Sequence, residues 1–182
     1  MNRSFLLLLL AASLFIGRAF SFAAIPDGTP ESFMGGAENL ALVNTAKAIK
    51  VFRILKPQQK LKPEEIITIS GNQCQAASAS VVGPEVQQVI AAMSDMTNFG
   101  GALTCIFDPG VILRFETDAH TLDVIICFHC HEMVLYRDGA VVRRPFKYAS
   151  TTNTFWRDAD PAFTTIAKNA FPKDAEIQKL KQ

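Results

Sequence analysis

Apolar residues recur along the chain in three patterns, and each predicts a different kind of element. The first is a continuous block. Residues 5–16 are apolar apart from Ser13 and include five consecutive leucines, after a short start carrying Arg3. The second is alternation. Over residues 49–55, Ile49, Val51, Arg53 and Leu55 interleave with Lys50, Phe52 and Ile54, and Lys56-Pro57 closes the run, which predicts a strand. Residues 66–69 form a β-branched-rich strand ended by Ser70-Gly71-Asn72, whereas residues 76–80 show no clear period.

Further strands are predicted at residues 103–107, 111–116 and 122–130, the last two as a hairpin around 117–121. Asp108-Pro109-Gly110 is expected to be a turn, with proline presetting φ and glycine supplying positive φ. A second hairpin joins 131–136 to 140–146 through Asp138-Gly139, a favoured two-residue connection.

The third pattern is helical. Gly83-Pro84 opens a helix in which Val86, Val89, Ile90 and Met93 form an apolar stripe expected to face the sheet, and Asn98 with Gly100-Gly101 ends it. Residues 38–48 have helical composition. Asp160-Pro161 reads as N-cap and first helical residue, followed by Phe163, Ile166, Ala167 and Ala170 on one face. Phe171-Pro172 stops that helix, and Asp174 caps a short last one. Hairpins segregated from helices predict an α+β domain, an antiparallel sheet of hairpins packed against two or three helices.

The leading block is read as a secretory signal peptide over residues 1–23, with small Ser21 and Ala23 placing cleavage after Ala23. Twelve residues fall short of the roughly 20 that span a bilayer, and Arg18 interrupts any extension. Gly- and Pro-rich residues 24–36 are expected to be loosely ordered, leaving residues 37–182 as a single domain, a size that supports one real core. Export implies a periplasmic or extracellular location, with no transmembrane segment after cleavage. The chain's formal charge of +1 becomes −1 once Arg3 and Arg18 leave with the signal. Near-neutrality argues against nucleic acid as a partner, and the short basic spot Arg143-Arg144 with Lys147 is the kind usually found on a solvated face. Phe155 and Trp156 are read as a lid on the core.

Chemistry concentrates in Cys127-Phe128-His129-Cys130-His131-Glu132, with Cys105 on the preceding strand segment and His120 in the hairpin loop. In a regular strand Cys127 and Cys130 would point to opposite faces about 10 Å apart, beyond the roughly 7 Å between Cα atoms that a disulfide tolerates. A bulge near residues 129–132 would re-aim them. Three readings follow. A structural disulfide from Cys105 to Cys127 or Cys130 suits an exported chain. A metal site, with Zn the candidate, would use Cys127, Cys130, a histidine (His129 or His131) and Cys105, but it lacks the usual glycine-containing knuckle. A redox dithiol would want the Cys-x-x-Cys at a helix N-terminus, and here it lies in a β-rich run. The disulfide is preferred; four cysteines allow three pairings. No Gly-x-Ser-x-Gly, His-Glu-x-x-His or phosphate-loop motif is present, so no catalytic residue is assigned.

Three segments also carry a resemblance: Cys105 to Phe115 (CIFDPGVILRF), Asp123 to Glu132 (DVIICFHCHE) and Ala167 to Gln178 (AKNAFPKDAEIQ). Together they resemble a group of small exported bacterial proteins of unknown function with a Cys-Phe-x-Cys segment. The resemblance implies that Cys105, Cys127 and Cys130 are the signature cysteines and Cys74 the extra one, and it implies no activity or cofactor. The expected function is non-enzymatic binding of an envelope or extracellular partner or ligand, with no cofactor. The alternative is a metal or thiol-redox protein built on residues 127–132 with Cys105.

Overall fold

The computed structural model describes residues 29–99, 106–147 and 160–181. The chain opens with α1 (Pro30–Met34) and α2 (Ala37–Asn44), then β1 (Ala48–Arg53), β2 (Ile66–Ile69), β3 (Asn72–Gln75) and β4 (Ala79–Val82). It continues through α3 (Pro84–Ser94), β5 (Val111–Glu116), β6 (Thr121–Cys127), β7 (Glu132–Arg137) and β8 (Ala140–Lys147) to α4 (Asp160–Ala170) and α5 (Ala175–Gln178). Six strands form one sheet in the order β4-β1-β5-β6-β7-β8, every neighbouring pair antiparallel, and β2-β3 make a separate ribbon. The protein is therefore α+β.

Strand periodicity decides what each face of the sheet meets. Val51, Leu113, Val124 and Leu135 point to one side and pack with Val43, Val89, Met93, Phe163 and Ile166 from the helices. The opposite parity, Phe52, Ile112 and Ile125, meets Ile69 and Cys74 from the β2-β3 ribbon. A strand covered on both faces needs no polar alternation, and β6 accordingly is buried from Leu122 to Cys127. The Asp138-Gly139 turn is the expected type, with φ of 50° and 79° at its two residues.

Several sequence expectations are corrected. Residues 24–36 do not form a loose entry throughout: Thr29 caps α1, and Phe33 and Met34 are buried in the core. Polar β3 and small-residue β4 went unread because their pairing comes from partners, β3 with β2 and β4 with β1. In α3, Val86, Val89 and Met93 are buried as expected, but Ile90 is only partly so. That helix ends at Ser94, before Asn98, because Asp95 caps a following 3₁₀ turn, Met96–Asn98. Asp160 lies inside α4 rather than capping it.

Gly110 is not the positive-φ residue of a turn. Its N–H donates to the Ile126 carbonyl at 2.8 Å and its own carbonyl accepts from Ile54 N–H at 3.1 Å, so it prolongs the pairing beside β5. A Cβ there would sit 3.4 Å from the Phe128 ring, close to ordinary contact distance. Of the strand expected at 103–107, Ile106 and Phe107 are irregular, and the rest lies outside the described residues. So do the signal segment, Cys105, Phe155 and Trp156. Among the described residues no helix is long and apolar enough to cross a membrane.

Candidate functional site

The strand expected to run to Cys130 stops at Cys127. Cys127 pairs with Glu132 across the β6-β7 hairpin, and Phe128, His129, Cys130 and His131 make the turn between them. His131 takes a left-handed φ of 51°, so a tight turn replaces the expected bulge. This closure brings the Cys130 N–H within 3.3 Å of Cys127 Sγ, to which it donates. Both cysteines are fully buried, His131 is half-buried and His129 is exposed. The Cys130 sulfur lies 2.9 Å from the carbonyl oxygen of Ile106, the residue that follows Cys105. Among the described residues no three His, Cys, Asp or Glu side chains gather where they could hold a metal ion.

Two buried charge networks went unassigned from sequence, and each ties elements together. Arg53 is fully buried on the helix side of β1. Its Nε donates to Asp174 at 2.7 Å, its Nη1 to the carbonyls of Gly110 (2.8 Å) and Ile54 (3.1 Å), and its Nη2 to Glu176 at 2.5 Å. Burial by itself would raise the Asp174 carboxyl, but the Arg53 hydrogen bond, the α5 backbone amides it caps and the guanidinium charge hold it below the usual carboxylate range. The available signal was a charge in the apolar row Ile49, Val51, Arg53.

On the other face Arg114 grips Asp123 with two hydrogen bonds, 2.6 and 2.9 Å, and Ser70 Oγ donates to the same carboxylate at 2.7 Å. This pins the β2-β3 tip to the sheet. Beside it, burial, reinforced by the Asp123 charge and opposed by Arg114, pushes the Cys74 thiol up to about 12. A thiol held protonated and buried in this way is an inert core group.

An open groove of about 620 Å³ runs between α3 and α4. Its apolar lining is small: Ala91 and Ala92 on α3 face Pro161 and Ala162 on α4. Its polar lining comes from Gln88, Thr165 and the 3₁₀ turn, which contributes Thr97, Asn98 and its cap Asp95. Short side chains at a helix–helix contact leave space that larger ones would fill, and elsewhere along the two helices Asn169 donates to Glu85 at 3.3 Å. Asp95 Oδ1 accepts from Thr97 Oγ1 at 2.7 Å and Thr97 N–H at 2.9 Å, which keeps this exposed carboxyl below its ordinary range. Asn98 is buried and its Nδ2 donates to the Ala92 carbonyl at 3.0 Å. Alanine, threonine and asparagine at these positions carry no motif, so sequence reasoning had nothing to single out.

Comparison of the chain with models of protein families, with curated proteins and with solved structures gives no match.

Proposed function

We propose that the protein is an exported, disulfide-stapled α+β domain that binds a ligand without transforming it. The observation that carries the binding reading is the open α3–α4 groove, whose volume falls within the roughly 300–1,000 Å³ common for small-molecule sites. Buried Arg53, and partly buried Arg114 with its buried partner Asp123, are committed to holding elements together.

Export is supported by the basic start, the short apolar block and the small residues before Ala24. The staple proposed is Cys105–Cys130, because the Cys130 sulfur sits against the backbone of the residue next to Cys105. Burial of the Cys127 sulfur speaks against thiol exchange, since an attacking thiolate must be reached by its partner.

Two measurements test the proposal. Intact-mass analysis of protein secreted by a bacterial host is expected to give a chain beginning at Ala24; retention of residues 1–23 in a membrane fraction would overturn export. A thermal-shift screen of the secreted protein against a small-molecule library is expected to yield compounds that stabilise it but stabilise Ala91→Phe less, because the ring projects from α3 into the groove. Compounds that stabilise both proteins equally, or a library without effect, would overturn binding in this groove.

A further inference from the structure

Resting on the Cys105–Cys130 staple proposed above, we infer that Cys127 is a second partner for Cys130, so that the β6-β7 turn holds a disulfide able to move from 105–130 to 127–130. In a regular strand the Cys-x-x-Cys sulfurs would lie about 10 Å apart on opposite faces. The chain instead turns. β6 ends at Cys127, Glu132 stands opposite it in β7, and His131 completes the turn at a left-handed φ of 51°. A tight turn keeps the Cα atoms of its first and fourth residues within about 7 Å, which is inside the reach of a disulfide.

A hydrogen bond across the turn brings the two cysteines together. Cys130 N–H donates to Cys127 Sγ at 3.3 Å, so the Cys127 sulfur lies against the backbone of the residue whose sulfur it would join. Cys130 Sγ itself lies 2.9 Å from the Ile106 carbonyl oxygen. The choice between partners is therefore set by the Cys130 side-chain rotamer and not by the fold. Both cysteines are fully buried. Burial shields Cys127 from an external thiol but places no barrier between it and a sulfur of its own turn.

The exchange balances without an oxidant or a reductant. Cys127, as thiolate, bonds to Cys130 Sγ and the Cys105–Cys130 bond breaks. Cys105 leaves as thiolate and takes up a proton in place of the one Cys127 released. A tie between two segments becomes a tie within one turn, and the segment entering β5 loses its covalent anchor while the number of disulfides is unchanged.

The test is disulfide mapping of the secreted protein after acid quench, which halts exchange by protonating thiolates, with thiols counted in denaturant. Cys105→Ser is expected to carry a 127–130 bridge and one reactive thiol, Cys74. Three reactive thiols in that variant would overturn the inference. Wild type held at pH 8 before the quench is expected to yield both the 105–130 and the 127–130 isomers, and Cys127→Ser only the first. Wild type with the 105–130 bridge alone would overturn the exchange and leave the staple standing. Wild type with the 127–130 bridge alone would overturn the staple, and the exchange with it. Four reactive thiols in wild type would overturn both.

Discussion

Arg53 occupies a place in β1 where parity calls for an apolar side chain, between the core positions set by Ile49 and Val51 and the base of α5. A buried guanidinium is tolerated when its donors are met, and Asp174, Glu176 and two carbonyls meet them. The partners are not equivalent. The Glu176 side chain is 57% exposed, so water screens its contribution, whereas that of Asp174 is 18% exposed and also caps α5. Asp174→Ala should therefore destabilise the fold by about 3 kcal/mol, measured by urea unfolding at neutral pH, and Glu176→Ala by much less. The pH dependence has a definite sign. The Asp174 carboxyl is depressed in the folded state, so its stabilisation is complete above the unfolded carboxylate pKa and disappears as pH falls through the folded value. The gap between wild type and Asp174→Ala should be constant above about pH 5 and close below pH 4. A gap that persists undiminished in acid would show that the cap, and not the ion pair, carries the effect.

At the scale of elements, α3 separates positions that a helical repeat alone makes equivalent. Met93 is fully buried against the sheet, while Ile90, on the same predicted stripe, lies at its partly buried margin. Met93→Ala should cost about 2–5 kcal/mol, and Ile90→Ala less than about 2 kcal/mol, by chemical denaturation. Equal losses would mean that both side chains sit equally deep. The same distinction explains how much of the fold was legible. Elements whose own residues contain the pattern were readable: β1, β2, the β5-β6 and β7-β8 hairpins, α3 and the Asp174-capped α5. Elements stabilised by their neighbours were not, because Asn72-Gln73-Cys74-Gln75 and Ala79-Ser80-Val81-Val82 become strands through cross-strand pairing. Alternation failed at residues 127–132 because local turn geometry, with His131 at positive φ, ended the strand three residues early. Of the site, the cysteine segment was visible from composition. The α3–α4 groove was not, since short side chains such as Ala91, Ala92 and Ala162 line it without forming a motif.

At the scale of the whole molecule, a 105–130 bridge would join the segment leading into β5 to the β6-β7 turn. Cross-linking about 25 residues removes loop-closure freedom from the unfolded chain, and the entropy model puts the stabilisation at about 3 kcal/mol. Disulfide and metal readings then separate cleanly. Under the disulfide, denatured but unreduced secreted protein should show two reactive thiols, Cys74 and Cys127. Reductant should lower the unfolding midpoint, and a chelator should leave it unchanged. Under a zinc site built from Cys105, Cys127, Cys130 and His129 or His131, all four thiols would react once the metal is stripped, a chelator would destabilise, and added zinc would restore. The choice of Cys130 over Cys127 can be tested in the same way. Cys130→Ser should leave three thiols, with Cys105 now among them, and abolish the response to reductant. Cys127→Ser should leave one thiol and retain that response. The Cys127 substitution also replaces the sulfur that accepts the Cys130 N–H, so a modest loss in midpoint is expected from the turn itself. If Cys127→Ser removes the reductant response and Cys130→Ser keeps it, the pairing is the other one, and the position of the Cys130 sulfur beside Ile106 reflects packing alone.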